Sequence, residues 1–142
     1  MPTLQNEIGY VIKHLQQSLR AMLDSALAVH SLTTAQYAVL YNLARHPGAS
    51  SAELSRQSFV TPQTMMRIIR NLERRDFLVR TRSPRSSKSL EARLTPRGTD
   101  ALRAAQREVD VIHTRMLKGF HGNELERLSS WLDRMIQNLE DS

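Results

Sequence analysis

Apolar residues recur along most of this chain at steps of three and four, the spacing of one face of an α-helix. Over residues 4–29, Leu4, Ile8, Val11, Ile12, Leu15, Leu19, Met22 and Leu23 carry that rhythm, and Ala26, Leu27 and Val29 extend it. Lys13, Gln16, Gln17, Arg20 and Asp24 lie between them, so one long amphipathic helix is predicted. Ser31-Leu32-Thr33-Thr34 breaks the pattern and caps a second helix over 35–45, with Tyr37, Val39, Leu40 and Leu43 on its buried side. His46-Pro47-Gly48 ends that helix. Ser50 or Ser51 then caps a short third helix, from which Ala52, Leu54 and Phe59 are expected to face inward. After a turn of a few residues, around 57–60, comes a fourth helix. Thr61 is its cap, and Pro62 stands in the first turn, where a missing N–H has no partner to lose. Met65, Ile68, Ile69 and Leu72 fall at i, i+3, i+4 and i+7, while Gln63, Met66, Arg67, Arg70 and Arg74 take the other side.

The period then changes. Residues 77–82 read as a strand going out and 89–94 as a strand returning, with the polar tip Ser83-Pro84-Arg85-Ser86-Ser87-Lys88 between them. Thr95 and Pro96 open a further helix, running to about residue 118 through Ala101, Leu102, Ala105, Val109, Ile112 and Met116. Asn123 is expected to cap a last helix with the stripe Leu125, Leu128, Leu132, Met135, Ile136 and Leu139, and Trp131 beside it. Two short helices joined by a tight turn are a helix-turn-helix whose second member reads DNA, although this turn lacks the glycine such turns often contain. The expected fold is mainly α: a winged helix-turn-helix with N- and C-terminal dimerisation helices and a small β-hairpin wing. Residues 32–98 form the DNA-binding lobe. Residues 1–31 and 99–142 are the dimerisation helices, because their apolar faces exceed what so small a core can cover.

Charge sharpens this reading. Between Thr61 and Arg97 stand ten cations and three anions, a net +7 in a chain whose total is +6. Everything outside that segment therefore sums to −1. Concentrated basic charge on a reading helix and a hairpin is the footprint of a polyanion partner, double-stranded DNA here, although a basic surface serving only solubility is the plainer alternative. Only 5 glycines and 5 prolines favour helix. Cysteine is absent, which excludes disulfides, thiolate zinc sites and thiol switches. No apolar run approaches the roughly 20 residues of a membrane span, and the first residues lack a secretory pattern, so a cytoplasmic protein without membrane contact is expected. Histidines 14, 30, 46, 113 and 121 form no close ligand pair, and phosphate loops and nucleophile elbows are missing. No metal site, cofactor or catalysis is expected; the alternative to a DNA reader is a winged-helix module for protein contacts only.

Three stretches, LTTAQYAVLYNLARHPGASSAELS, VTPQTMMRIIRNLERRDFLVR and LTPRG, resemble in order and spacing the MarR (multiple-antibiotic-resistance regulator) family. The resemblance covers nearly the whole chain. It implies a homodimer built from terminal helices, with two winged lobes on a palindromic operator. It also implies a repressor released by small aromatic or phenolic effectors. Two departures stand out. Where the family carries Asp-x-Arg in the wing, this chain has Ser86 and Lys88, so that ion pair cannot form and Arg85 becomes the candidate for the minor groove. A glycine common before the wing is replaced by Asp76.

Base reading is expected from Gln63, Thr64, Arg67 and Arg70, since Gln suits adenine, Arg suits guanine and a Thr methyl suits thymine. Thr61 stands beside them. Phosphate contact is expected from Arg80, Arg82, Arg85, Lys88, Arg93 and Arg97, and from Ser50 and Ser51 at a helix N-terminus. The resemblance implies an effector site between the dimer helices and the lobe, for which Met22, Ala26, Tyr37, Leu40 and Tyr41 are candidates; core packing is the alternative for each.

Overall fold

The computed structural model describes residues 3–141, and the side chains of all of these except 86–88. Among the described residues are six helices and one two-stranded sheet. The helices are α1 (Leu4–Ala28), α2 (Thr34–Arg45), α3 (Ser51–Ser58), α4 (Pro62–Arg74), α5 (Pro96–Met116) and α6 (Gly122–Glu140). The strands are β1 (Leu78–Ser83) and β2 (Ser86–Leu94), between α4 and α5. The expected fold class holds. The chain divides into two compact units, Met1–Ile112 and His113–Ser142.

Local chemistry sets the helix starts. Thr3, Thr33, Ser50 and Thr61 each accept a backbone N–H from three residues on, satisfying a donor the helix leaves free. Gln36 returns the favour at α2, where its side chain accepts the Thr33 N–H at 3.0 Å. Three helices end in the same way. Ser31, Phe59 and Asp76 take left-handed backbone, and the next residue's N–H reaches back five residues: Leu32 to Leu27, Val60 to Ser55, Phe77 to Leu72. This is the Schellman closure, in which the residue after the left-handed one turns into the core. Leu32 and Phe77 are buried accordingly, and Val60 packs against the core.

The core of the first unit is the set of stripes read from the sequence. Leu27, Val39, Leu40, Leu43, Leu54, Met65, Ile69, Leu72 and Leu78 are almost wholly removed from water, and Leu102, Ala105 and Val109 of α5 join them. Each such side chain contributes about 1.5–3 kcal/mol of burial. Gly98, at the start of α5, allows the closest approach: a Cβ there would stand 1.9 Å from the Phe77 carbonyl oxygen. Gln36 Nε2 also donates to Asn71 Oδ1 at 3.0 Å, tying α2 to α4.

Three expectations need correction. Ala52 and Phe59 are exposed, because the buried side of α3 is carried by Leu54 and Ser55. The hairpin tip is shorter than residues 83–88: only Pro84 and Arg85 form the turn, and Ser83 pairs with Ser86. The additional residues of β2 are taken up by an irregularity in register between Arg82 and Ser83, since Arg82 pairs with Leu90. At α6 the helix starts two residues early, so His121 and not Asn123 holds the cap position; its N–H donates to Glu124 Oε1 at 2.8 Å. Among the described residues of α6 none is buried, and Trp131, Leu132, Met135, Ile136 and Leu139 stay exposed. Most of α1 is likewise open, including Ile8, Val11, Ile12 and Leu15.

Candidate nucleic-acid interface

Helix α4 sorts its residues by chemistry. With Met65, Ile68, Ile69 and Leu72 in the core, Gln63, Thr64, Arg67, Arg70 and Arg74 are left exposed. Gln63, Arg67, Arg70 and Arg74 line one shallow groove, spaced at three and four residues. Among the described residues no carboxylate pairs with Arg67, Arg70 or Arg74. Their charge is available to an outside anion. The Thr61 and Thr64 hydroxyls bond to each other at 3.0 Å at the exposed start of the helix.

The wing splits the remaining cations into free and held. Arg82 and Arg85 are exposed. Arg80 is not brought to the open surface. Its Nε and Nη2 donate to Glu73 at 3.2 and 3.0 Å, and its side chain is only 17% exposed. This bidentate pair fastens β1 to α4. Arg93 is half engaged, with Nη2 3.4 Å from Glu91 Oε2. Arg97 and Arg75 lie over the Phe77 ring, at 5.9 and 4.6 Å from its centroid. The side chain of Lys88 lies outside the described residues. Ser50 and Ser51 sit at the start of α3, where the loop before them joins the sheet: Gly48 N–H donates to Ala92 O, and Ala92 N–H to Ala49 O. With Met66, Arg80 and Leu90 they line a cleft of about 310 Å³ between α3, α4 and the wing.

This arrangement, a reading helix with an apolar floor and a cationic roof beside an antiparallel wing, has counterparts. The MarR family model matches residues 30–89. The HTH-type transcriptional repressor Rv2887 of Mycobacterium tuberculosis is 32% identical over 128 residues, covering 90% of this chain and 92% of its own. The chain belongs to the MarR family. A crystal structure of Rv2887 in complex with salicylic acid is 31% identical, covers 95% of this chain and 97% of that one, and superposes with a TM-score of 0.71. The MepR–DNA complex of S. aureus matches at a TM-score of 0.86 over 96% of this chain and 99% of that one; at 19% identity the likeness is one of fold. MarR proteins are transcription regulators and not enzymes, and so is this chain.

Within this MarR chain the wing has a brace that sequence reasoning missed. Glu91, only 8% exposed, accepts the Ser83 hydroxyl across the hairpin at 3.0 Å and faces Arg93 on its own strand. Gly48 leaves room for both, since a Cβ there would stand 3.0 Å from Arg93 Nη2 and 3.3 Å from Glu91 Oε2. The available signal was that Glu91 is the sole anion between residues 77 and 99.

The effector candidates are placed unevenly. Leu40 is sealed in the core, Met22 is exposed and Ala26 half-buried. Tyr37 and Tyr41 stack with ring centroids 6.2 Å apart, and Arg45 lies 5.6 Å from the Tyr41 ring. Burial pushes the Tyr37 phenol above its ordinary 10.0, and the charges of Asp110 and Tyr41 add to this. No helix of the described residues is long and apolar enough to cross a membrane.

Proposed function

We propose that the protein is a cytoplasmic, sequence-specific repressor that binds double-stranded DNA as a homodimer on a palindromic operator and is released by a small aromatic or phenolic effector. The observation that carries this reading is the exposed row Gln63, Arg67, Arg70 and Arg74 on a helix whose opposite side is core. Thr61, Gln63, Thr64, Arg67 and Arg70 are the base-reading candidates. Ser50, Ser51, Arg82, Arg85 and Lys88 hold phosphate or the minor groove, and Arg80 acts through Glu73. Residues 32–98 form the lobe, and residues 1–31 and 99–142 supply the dimer surface. The salicylic acid bound by Rv2887 supports an aromatic effector, with the stacked Tyr37 and Tyr41 as its candidate contacts.

The test is a pair of binding isotherms for the parent and Arg67→Ala, on a duplex selected by the parent from random sequence and on its scrambled version. Losing a guanine contact costs about 1–3 kcal/mol per half-site on the selected duplex and far less on the scrambled one. Equal losses on both place the reading face elsewhere on the lobe. A parent with no salt-sensitive affinity for any duplex leaves the winged helix as a protein-contact module.

A further inference from the structure

We infer that Phe59, in the turn of the helix-turn-helix, is a DNA contact that supplies apolar recognition at the edge of the major groove. Among the described residues, three that are not glycine hold positive φ: Ser31, Phe59 and Asp76. Serine and aspartate are short and polar, and aspartate is among the types that tolerate this region; a bulky aromatic is an outlier there. Phe59 has φ 55° and ψ 38° and is 91% exposed. The free protein thus bears two costs at one residue, a strained backbone and an aromatic ring in water, and recovers neither within the chain. Schellman closure explains the direction of the ring. Val60, next in sequence, turns into the core, so Phe59 points away from it.

What covers the ring is indicated by its neighbours. Beyond Val60 come Thr61, Pro62, Gln63 and Thr64, all exposed at the start of the reading helix. Arg56 stands exposed three residues before, and the first cation of the net +7 segment, the exposed Arg67, lies eight residues later on the same reading helix. An apolar ring ahead of a reading helix whose exposed side is cationic suits a polyanion that also presents methyl groups. Double-stranded DNA does so through the thymine C5-methyl, and its deoxyribose offers a similar apolar surface. This inference rests on the DNA-binding reading above and extends it to a residue that contributes no hydrogen bond and no charge.

Phe59→Gly and Phe59→Asn decide it, because both residues accept left-handed backbone. Each is expected to fold with an unchanged or higher Tm and to bind the selected duplex about tenfold more weakly, with little change on the scrambled one where the ring meets thymine methyls and a similar loss there where it meets deoxyribose. Replacing thymines one at a time by uracil, which deletes the methyl, separates the two apolar sources. A thymine at which the parent loses affinity and Phe59→Gly does not identifies the methyl; a uniform response with the variant still weaker identifies the sugar. Unchanged affinity in both variants overturns the inference and leaves the DNA-binding reading standing. A loss that tracks dissociation of the dimer in sedimentation also overturns it, since the ring then covers protein. A parent that binds no duplex removes the DNA-binding reading first, and this inference with it.

Discussion

Gly98 and Tyr37 show how single residues constrain this fold. A methyl at residue 98 would meet the Phe77 carbonyl at 1.9 Å, and that carbonyl already accepts the Thr95 N–H at 3.1 Å. Neither backbone can retreat without breaking the junction of wing and α5. Gly98→Ala should therefore cost about 3 kcal/mol or more, read as a lower denaturant midpoint; an unchanged midpoint would show that the junction yields freely. Tyr37 gives the protein an alkaline limit. Its phenol holds its proton more tightly when folded than the ordinary 10.0, because ionisation must occur under burial and beside Asp110. The unfolded chain thus ionises first, and stability present below pH 10.0 falls as pH rises through and beyond it. Tyr37→Phe should flatten that loss in unfolding curves recorded from neutral pH to about pH 11. An identical alkaline slope in the variant would mean other groups cause it.

Among the elements, the wing depends on acids as much as on its basic side chains. Arg80 bridges β1 to α4 through Glu73, whereas Arg82, two residues on, is exposed and in no ion pair among the described residues. The same residue type therefore does two jobs. Arg82→Ala should leave stability alone and lower the salt slope of DNA binding by about one unit per protomer. Arg80→Ala should cost about 1 kcal/mol of stability, since the pair is lost but the partly exposed Glu73 regains water, with a smaller effect on the slope. If the two variants behave alike in thermal melts and salt titrations, the assignment of roles is wrong. Glu91 does for the hairpin what the missing Asp-x-Arg pair cannot, by holding Ser83 on the opposite strand.

For the molecule as a whole the unanswered surface is apolar. Ile8, Val11, Ile12 and Leu15 on α1, and Trp131, Met135, Ile136 and Leu139 on α6, are all open to solvent in the single chain. Rows of exposed large apolar side chains of this kind mark interaction surfaces. Sedimentation at tens of micromolar should find a homodimer. A folded monomer at that concentration would contradict the proposed two-fold reading of DNA, and Ile12→Lys should shift the parent's equilibrium toward such a monomer.

Helix existence, helix limits to within a residue or two and the core stripes were legible in the sequence, because helical periodicity and caps act over four residues at most. Met65, Ile68, Ile69 and Leu72 are buried where their spacing puts them, and so the exposed row of α4 followed directly. The winged fold and the MarR family were legible for the same reason: order and spacing are one-dimensional properties. What tertiary structure alone decided were matters of pairing. The register that shortens the hairpin tip depends on which β2 residue meets Arg82. Which arginines are free depends on where Glu73 and Glu91 fall in space, and no count of charges reveals it. Phe59 was expected inward on hydrophobicity, yet the closure of α3 turned Val60 in and left the ring outside. Backbone geometry at a helix end outweighed side-chain preference there, because the left-handed position is set by the hydrogen bonds that finish the helix.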